Sequence, residues 1–183
     1  MAFDKTYHVN VKLRDESKLY TFVSSGPEEI VKAVEYTYTQ HLGKYPVYNL
    51  GFGDYDPLTD SIIDRVISNN GDVYTVFYTV LNTVLHFFDE NPNAIMSVEG
   101  SDSGKAFSEE CRKLCRKKCT DICKNMDRRI RTYRWFVDKN IDELNKSYTF
   151  YGGWRGKKGI KRTECYRPTG IYNVIYCHKN KIV

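Results

Sequence analysis

The sequence has no run of about 18 apolar residues, so no transmembrane helix is expected. Its start, MAFDKTYHVNVKL, lacks a basic stretch followed by an apolar core, so no secretory leader is read. Both absences point to a cytoplasmic protein whose six Cys are reduced. No paired C-x2-C motif occurs, which removes the strongest zinc signature. Neither H-E-x-x-H nor a Ser/His/Asp or Cys/His nucleophile pattern is found. The four His (His8, His41, His86 and His178) are scattered. No catalytic residue is therefore assigned, and the reading leans away from an enzyme.

What is present suits one α+β domain spanning residues 1–183. The chain is long enough to bury a real core, and its 41% hydrophobic and 28% charged residues are ordinary for a globular protein. The net charge of +5 is unevenly placed. Between Lys105 and Arg134, 11 Lys and Arg meet 4 Asp and Glu; from Arg155 to Arg167 the ratio is 6 to 1. A basic C-terminal half suits phosphate or an acidic protein; a solvated surface balanced by the acidic N-terminal half explains the same letters.

One stretch organises the chain. Val73, Val76, Phe77, Val80, Leu81, Val84, Leu85 and Phe88 recur with helical period, Asp72 stands as N-cap, and Asp89 to Pro92 stop the helix. Its face is wide and β-branched, so it needs a sheet to lie on. Strands are expected at Tyr7 to Leu13, Lys18 to Ser24, Tyr45 to Phe52, Ala94 to Val98, Tyr148 to Trp154 and Ile171 to Cys177. Glu29 to Tyr38 is strand or short helix, with Thr and Tyr favouring strand. Gly53 to Pro57 reads as a turn, Ile62 to Ile67 as a short extended piece, and Arg155 to Lys161 as a hairpin loop. Helices are expected over Ser108 to about Lys124, capped by Ser108, and over Asp127 to Asn145. The order implies a single, mostly antiparallel sheet with two main helices on one face, plus a Cys-rich basic helical insertion at 102–126.

Several pieces recur in a recognisable order. They are Phe22 to Gly26 (FVSSG) with Ile30 and Lys32, Tyr48 to Asp54 (YNLGFGD), Ser68 to Asp72 (SNNGD) opening a helix, Gly100-Ser101 after a strand, and Arg129 to Arg134 (RIRTYR). In these the chain resembles an uncharacterised bacterial family of the Bacteroidota type, a domain of unknown function, over roughly Tyr20 to Lys179. The resemblance implies no activity. Its insertion at about Asp102 to Met126 departs from the family pattern and carries four of the six Cys.

Three constellations are candidates for function. Cys111, Cys115, Cys119 and Cys123 are spaced by four. Thiolates favour tetrahedral zinc, and Arg112, Lys113, Arg116, Lys117, Lys118 and Lys124 would favour ionised sulfur. On one straight helix the four span about 18 Å, so a single zinc requires the segment to break. Zinc, buried reduced thiols and a disulfide all stay open. Arg128, Arg129, Arg131 and Arg134, interleaved with Tyr133 and Trp135 and extended by Lys157 and Lys158, form a candidate basic patch for phosphate and stacked bases. A helix face pairing with Asp127, Asp138 and Asp142 is the plainer account. Asp54, Asp72 and Ser101, with Arg129, form a candidate pocket if their loops converge; otherwise they are turns and caps.

The expected role is binding of a protein partner or nucleic acid, without a membrane. An antitoxin-like or defence-associated partner comes first, a nucleic-acid binder with a zinc-organised arm second, and an enzyme acting on a phosphorylated small molecule third. The sequence assigns no oligomeric state.

Overall fold

The computed structural model describes residues 5–63, 70–115, 117–120, 123–156 and 159–180. It is an α+β protein of nine strands and three helices among these residues, and every strand pairing given below is antiparallel. The chain divides into two compact units, residues 1–95 and 96–183. No described helix is long and apolar enough to cross a membrane.

In the first unit β1 (Asn10–Leu13), β2 (Ser17–Ser25), β3 (Glu29–Leu42) and β4 (Tyr45–Asp56) lie in sequential order, and β5 (Ser61–Ile63) pairs with β4. The Glu29 segment is a strand, as its Thr and Tyr content favours, and it is longer than expected. Gly53 to Asp56, expected as a turn, continue β4, because each residue from Gly53 finds a partner on β3 or β5. Register places Phe22 opposite Lys32 and Lys32 opposite Asp54, so alternate residues share one face.

Helix α1 (Val73–Glu90) packs on that face. Phe87 stacks on Tyr36 with ring centroids 4.4 Å apart, and the hydroxyls of Tyr36 and Thr83 lie 2.9 Å apart. Burying a side chain such as Phe87 or Phe88 contributes about 1.5–3 kcal/mol each. The buried face is rotated from the expected one. Val73 is exposed, while Thr79 and Thr83 are buried with Val76, Val84, Phe87 and Phe88. Each threonine hydroxyl donates to a carbonyl one turn back (Thr75 and Val80), so burial leaves it satisfied.

The second unit has strand order β6 (Ile95–Glu99), β9 (Val174–Lys179), β7 (Tyr148–Gly156), β8 (Gly159–Cys165). The hairpin expected at Arg155 to Lys161 is formed by β7 and β8, and its strands run further into the expected loop: Arg155 pairs with Ile160 and Gly156 with Gly159. Gly152 leaves room for Tyr172, whose ring would lie 2.3 Å from an added Cβ. Helix α2 (Gly104–Leu114) starts before Ser108 and stops well short of Lys124. Ser108 is therefore no cap; its hydroxyl donates to Gly104 carbonyl inside the helix. Helix α3 (Arg128–Leu144) buries Ile130, Val137 and Leu144. It is tied to the segment before β9 through Asp138, which accepts from Tyr166 hydroxyl at 2.7 Å and Thr169 N–H at 3.1 Å.

Candidate functional site

Three of the sequence motifs, all in the first unit, meet in one largely buried polar knot below the start of α1. Asn70 acts as a splint. Its amide donates to the carbonyls of Ser24 and Glu28 and to Ser24 Oγ, and its Oδ1 accepts the Glu28 N–H. The β2–β3 turn thus closes on Asn70, and Gly26 is required there: an added Cβ would sit 2.4 Å from the Asn70 carbonyl oxygen.

Asp72 is not the side-chain cap expected of it. No cap bond to α1 is made; its Oδ2 instead accepts from Ser24 Oγ and Tyr7 Oη, both at 2.7 Å. Burial by itself pushes the Asp72 carboxyl up. The bonds from Ser24 and Tyr7 and the charge of Lys32 outweigh it and hold its pKa below the ordinary value. Tyr7 is pushed the other way, by burial first and then by its bond to Asp72. Lys32, only 5% exposed, is ion-paired with Asp54 across the β3–β4 ladder. Asp54 and Asp72 are therefore linked through one lysine. Lys32 and Ser24, which carry the arrangement, stand in the FVSSG-Ile30-Lys32 motif but not among the expected pocket residues. A charged residue at an inward strand position was the signal available.

Ser101 lies in the second unit, exposed on the loop after β6. Its neighbour Asp102 is the working residue: Oδ2 accepts the Arg129 N–H at 3.0 Å and its carbonyl accepts the Asp127 N–H at 3.0 Å. Asp102 thereby caps α3 from another loop. Asp127, at φ +58°, makes no side-chain cap bond.

The basic helix divides by side. Arg128 and Arg131 are exposed, and Arg131 also folds back onto the carbonyls of Met126 and Asp127. Arg134 is half-buried and donates to the Gly170 carbonyl, so it holds the fold. Arg129 is half-buried. Trp135 is 48% exposed, with Lys139 Nζ 5.2 Å from its ring centre. Lys157, Lys158 and Arg116 lie outside the described residues.

The cysteine segment breaks after α2, as a shared site would require. Cys115 has extended backbone, Lys118 takes φ +46°, and the chain turns back so that Cys123 is buried. Asn125 Nδ2 then approaches Cys111 Sγ at 3.3 Å and Cys115 Sγ at 3.6 Å, and the Lys124 N–H donates to Cys119 Sγ at 3.4 Å. The Asn125 amide draws the Cys111 thiol down, but burial and the neighbouring thiols of Cys123 and Cys115 raise it overall. The Lys124 N–H lowers Cys119. Among the described residues no three His, Cys, Asp or Glu side chains form a ready-made metal group. Cys177, on β9, is pushed up by complete burial and stands apart from this chemistry.

The first unit is thus an antiparallel sheet backed by one helix and locked by a buried polar knot, the α+β class. The chain belongs to the family of unknown function DUF6934, which it matches over residues 4–106. The match takes in the polar knot and the Gly100-Ser101 loop; the four-cysteine segment and α3 follow it. No curated protein and no solved structure matches the chain.

Proposed function

We propose that the protein binds single-stranded nucleic acid through its second unit. The carrying observation is that Arg128, Arg131 and Trp135, spaced i, i+3 and i+7 on α3, are all exposed. Residues 96–183 hold 21 Lys and Arg against 10 Asp and Glu, whereas residues 1–95 hold 7 against 13. Arg112, Lys113, Lys117, Lys118 and Lys124 are exposed too. Guanidinium groups grip phosphates, and an exposed indole offers a face on which any base stacks. The polar knot of the first unit supports a structural role, since its groups are buried or half-buried and satisfy one another.

Fluorescence anisotropy with labelled oligo(dT) and oligo(rU) tests the reading. Affinity should fall steeply with salt, with a log–log slope of about −0.7 per phosphate neutralised. Arg128→Ser with Arg131→Ser should reduce the slope by about 1–2. Trp135→Ala should weaken binding by about 1–3 kcal/mol at unchanged slope. Absence of binding at low salt by a folded protein overturns the proposal.

A protein partner, antitoxin-like or otherwise, is favoured by a different observation. Strand β1 ends the strand order and is exposed along its length, with Val11 54% and Leu13 75% exposed. Such an edge suits a partner strand that adds to it. Leu13→Lys should abolish any complex made this way and leave oligonucleotide affinity unchanged, both read by anisotropy.

A further inference from the structure

The four-cysteine segment has a geometry that the nucleic-acid reading does not use. Cys111 lies near the end of α2, Cys115 just past it, and Cys119 and Cys123 on the returning chain. One amide, Asn125 Nδ2, reaches both Cys111 Sγ and Cys115 Sγ, at 3.3 and 3.6 Å, and the adjoining Lys124 donates its N–H to Cys119 Sγ at 3.4 Å. Two N–H donors, the Lys124 backbone and the Asn125 amide, point at three of the four sulfurs. Neutral thiols are weak acceptors, and such donors gain most when the sulfur is a thiolate. Donors of this kind around metal-bound sulfur orient the ligands and moderate their charge.

We propose that Cys111, Cys115, Cys119 and Cys123 bind one zinc ion as a tetrahedral S4 site that organises the arm. Zinc–sulfur bonds of about 2.3 Å put neighbouring sulfurs about 3.8 Å apart, the scale of a thiol–thiol contact. Cys111 and Cys115 already share the Asn125 amide and Cys119 is held by the adjoining Lys124 N–H, so side-chain rotation and loss of the S–H protons would bring the set together. Four thiolates on Zn2+ carry a net charge of −2. The exposed Arg112, Lys113, Lys117, Lys118 and Lys124 around them offset it. Binding releases protons and requires no oxidant or reductant. The break at Cys115 and the left-handed Lys118 are what a single straight helix, about 18 Å over twelve residues, lacked: the chain returns, and Lys124 and Asn125 reach the sulfurs of Cys111, Cys115 and Cys119.

The test uses the full chain, purified under reducing conditions without chelator. Native mass spectrometry should show one zinc per chain, lost in Cys115→Ser and in Cys123→Ser. Cys165→Ser, which removes an exposed thiol on β8, should keep the metal. Because a cysteine variant can misfold, the wild-type chain is also titrated with Co2+ alone. Intense visible absorption of tetrahedral cobalt thiolate at one equivalent supports the site. A metal-free mass after incubation with zinc, with six titratable thiols or with a disulfide in the cluster, overturns it. This outcome is separate from oligonucleotide binding, which is measured on the same preparation.

Discussion

Asp102 accepts the backbone N–H of Arg129 at 3.0 Å, so α3 is capped by a residue 27 positions upstream and not by Asp127 beside it. Asp102→Ala should therefore cost about 1–2 kcal/mol, read from urea unfolding. Asp127→Asn, which keeps a residue tolerant of left-handed backbone, should change stability by less than about 0.5 kcal/mol. Equal losses in the two variants would refute the assignment of the cap.

Asn70 should be costly to remove. Asn70→Ala strips partners from Ser24 and from both backbone groups of Glu28, with an expected loss of about 2–4 kcal/mol in thermal or urea melts. Gly26→Ala should also destabilise, and the double variant should stay destabilised. The clash at 2.4 Å is with the Asn70 backbone carbonyl, which the Ala substitution leaves in place.

Asp72 predicts a pH dependence. Its folded pKa lies below the ordinary value, so its stabilising share is present above the unfolded pKa of about 3.9 and is lost as pH falls through the folded value. The stability difference between the protein and Asp72→Asn should be full at neutral pH and shrink in strongly acidic buffer. A difference that grows on acidification would reverse the sign and sink the argument.

Lys32 and Asp54 are paired out of water, so breaking one partner should cost more than replacing both. Lys32→Met leaves a carboxylate in a mostly buried place and should lose about 3–5 kcal/mol. Adding Asp54→Leu should recover part of that loss in a double-mutant cycle followed by chemical denaturation. Simple additivity of the two losses would mean that the pair is not coupled.

Much of the fold was legible because strand alternation and helical period are local. Helix α1 runs from Val73 to Glu90, starting after Asp72 as expected and ending inside the Asp89 to Pro92 stretch expected to stop it. Its buried side was misjudged because Thr79 and Thr83 count as polar by type, while in place each hydroxyl is satisfied by its own helix. Strand β8 was hidden for a related reason. Its first residues, Gly159 to Lys161, fall in the expected hairpin loop and the rest, RTEC, carry no strand pattern, so only pairing with β7 makes them a strand. In the candidate sites, Asp54 and Asp72 were visible as polar loop residues, but Lys32 and Ser24 were not picked out, because their partners lie 22 and 48 residues away.

By itself the sequence determined the local periods, the partition of charge between an acidic N-terminal and a basic C-terminal half, and the four-residue spacing of the cysteines. These depend only on neighbours along the chain. Tertiary structure decided that Asp72 serves Ser24 and Tyr7 and not its own helix, that Asp102 caps α3, and that the cysteine segment turns back on itself. Each of those outcomes is a hydrogen bond or contact made by chain that returns from a distance. A buried donor or acceptor takes whichever partner the returning chain brings, so the choice is made only when the elements pack.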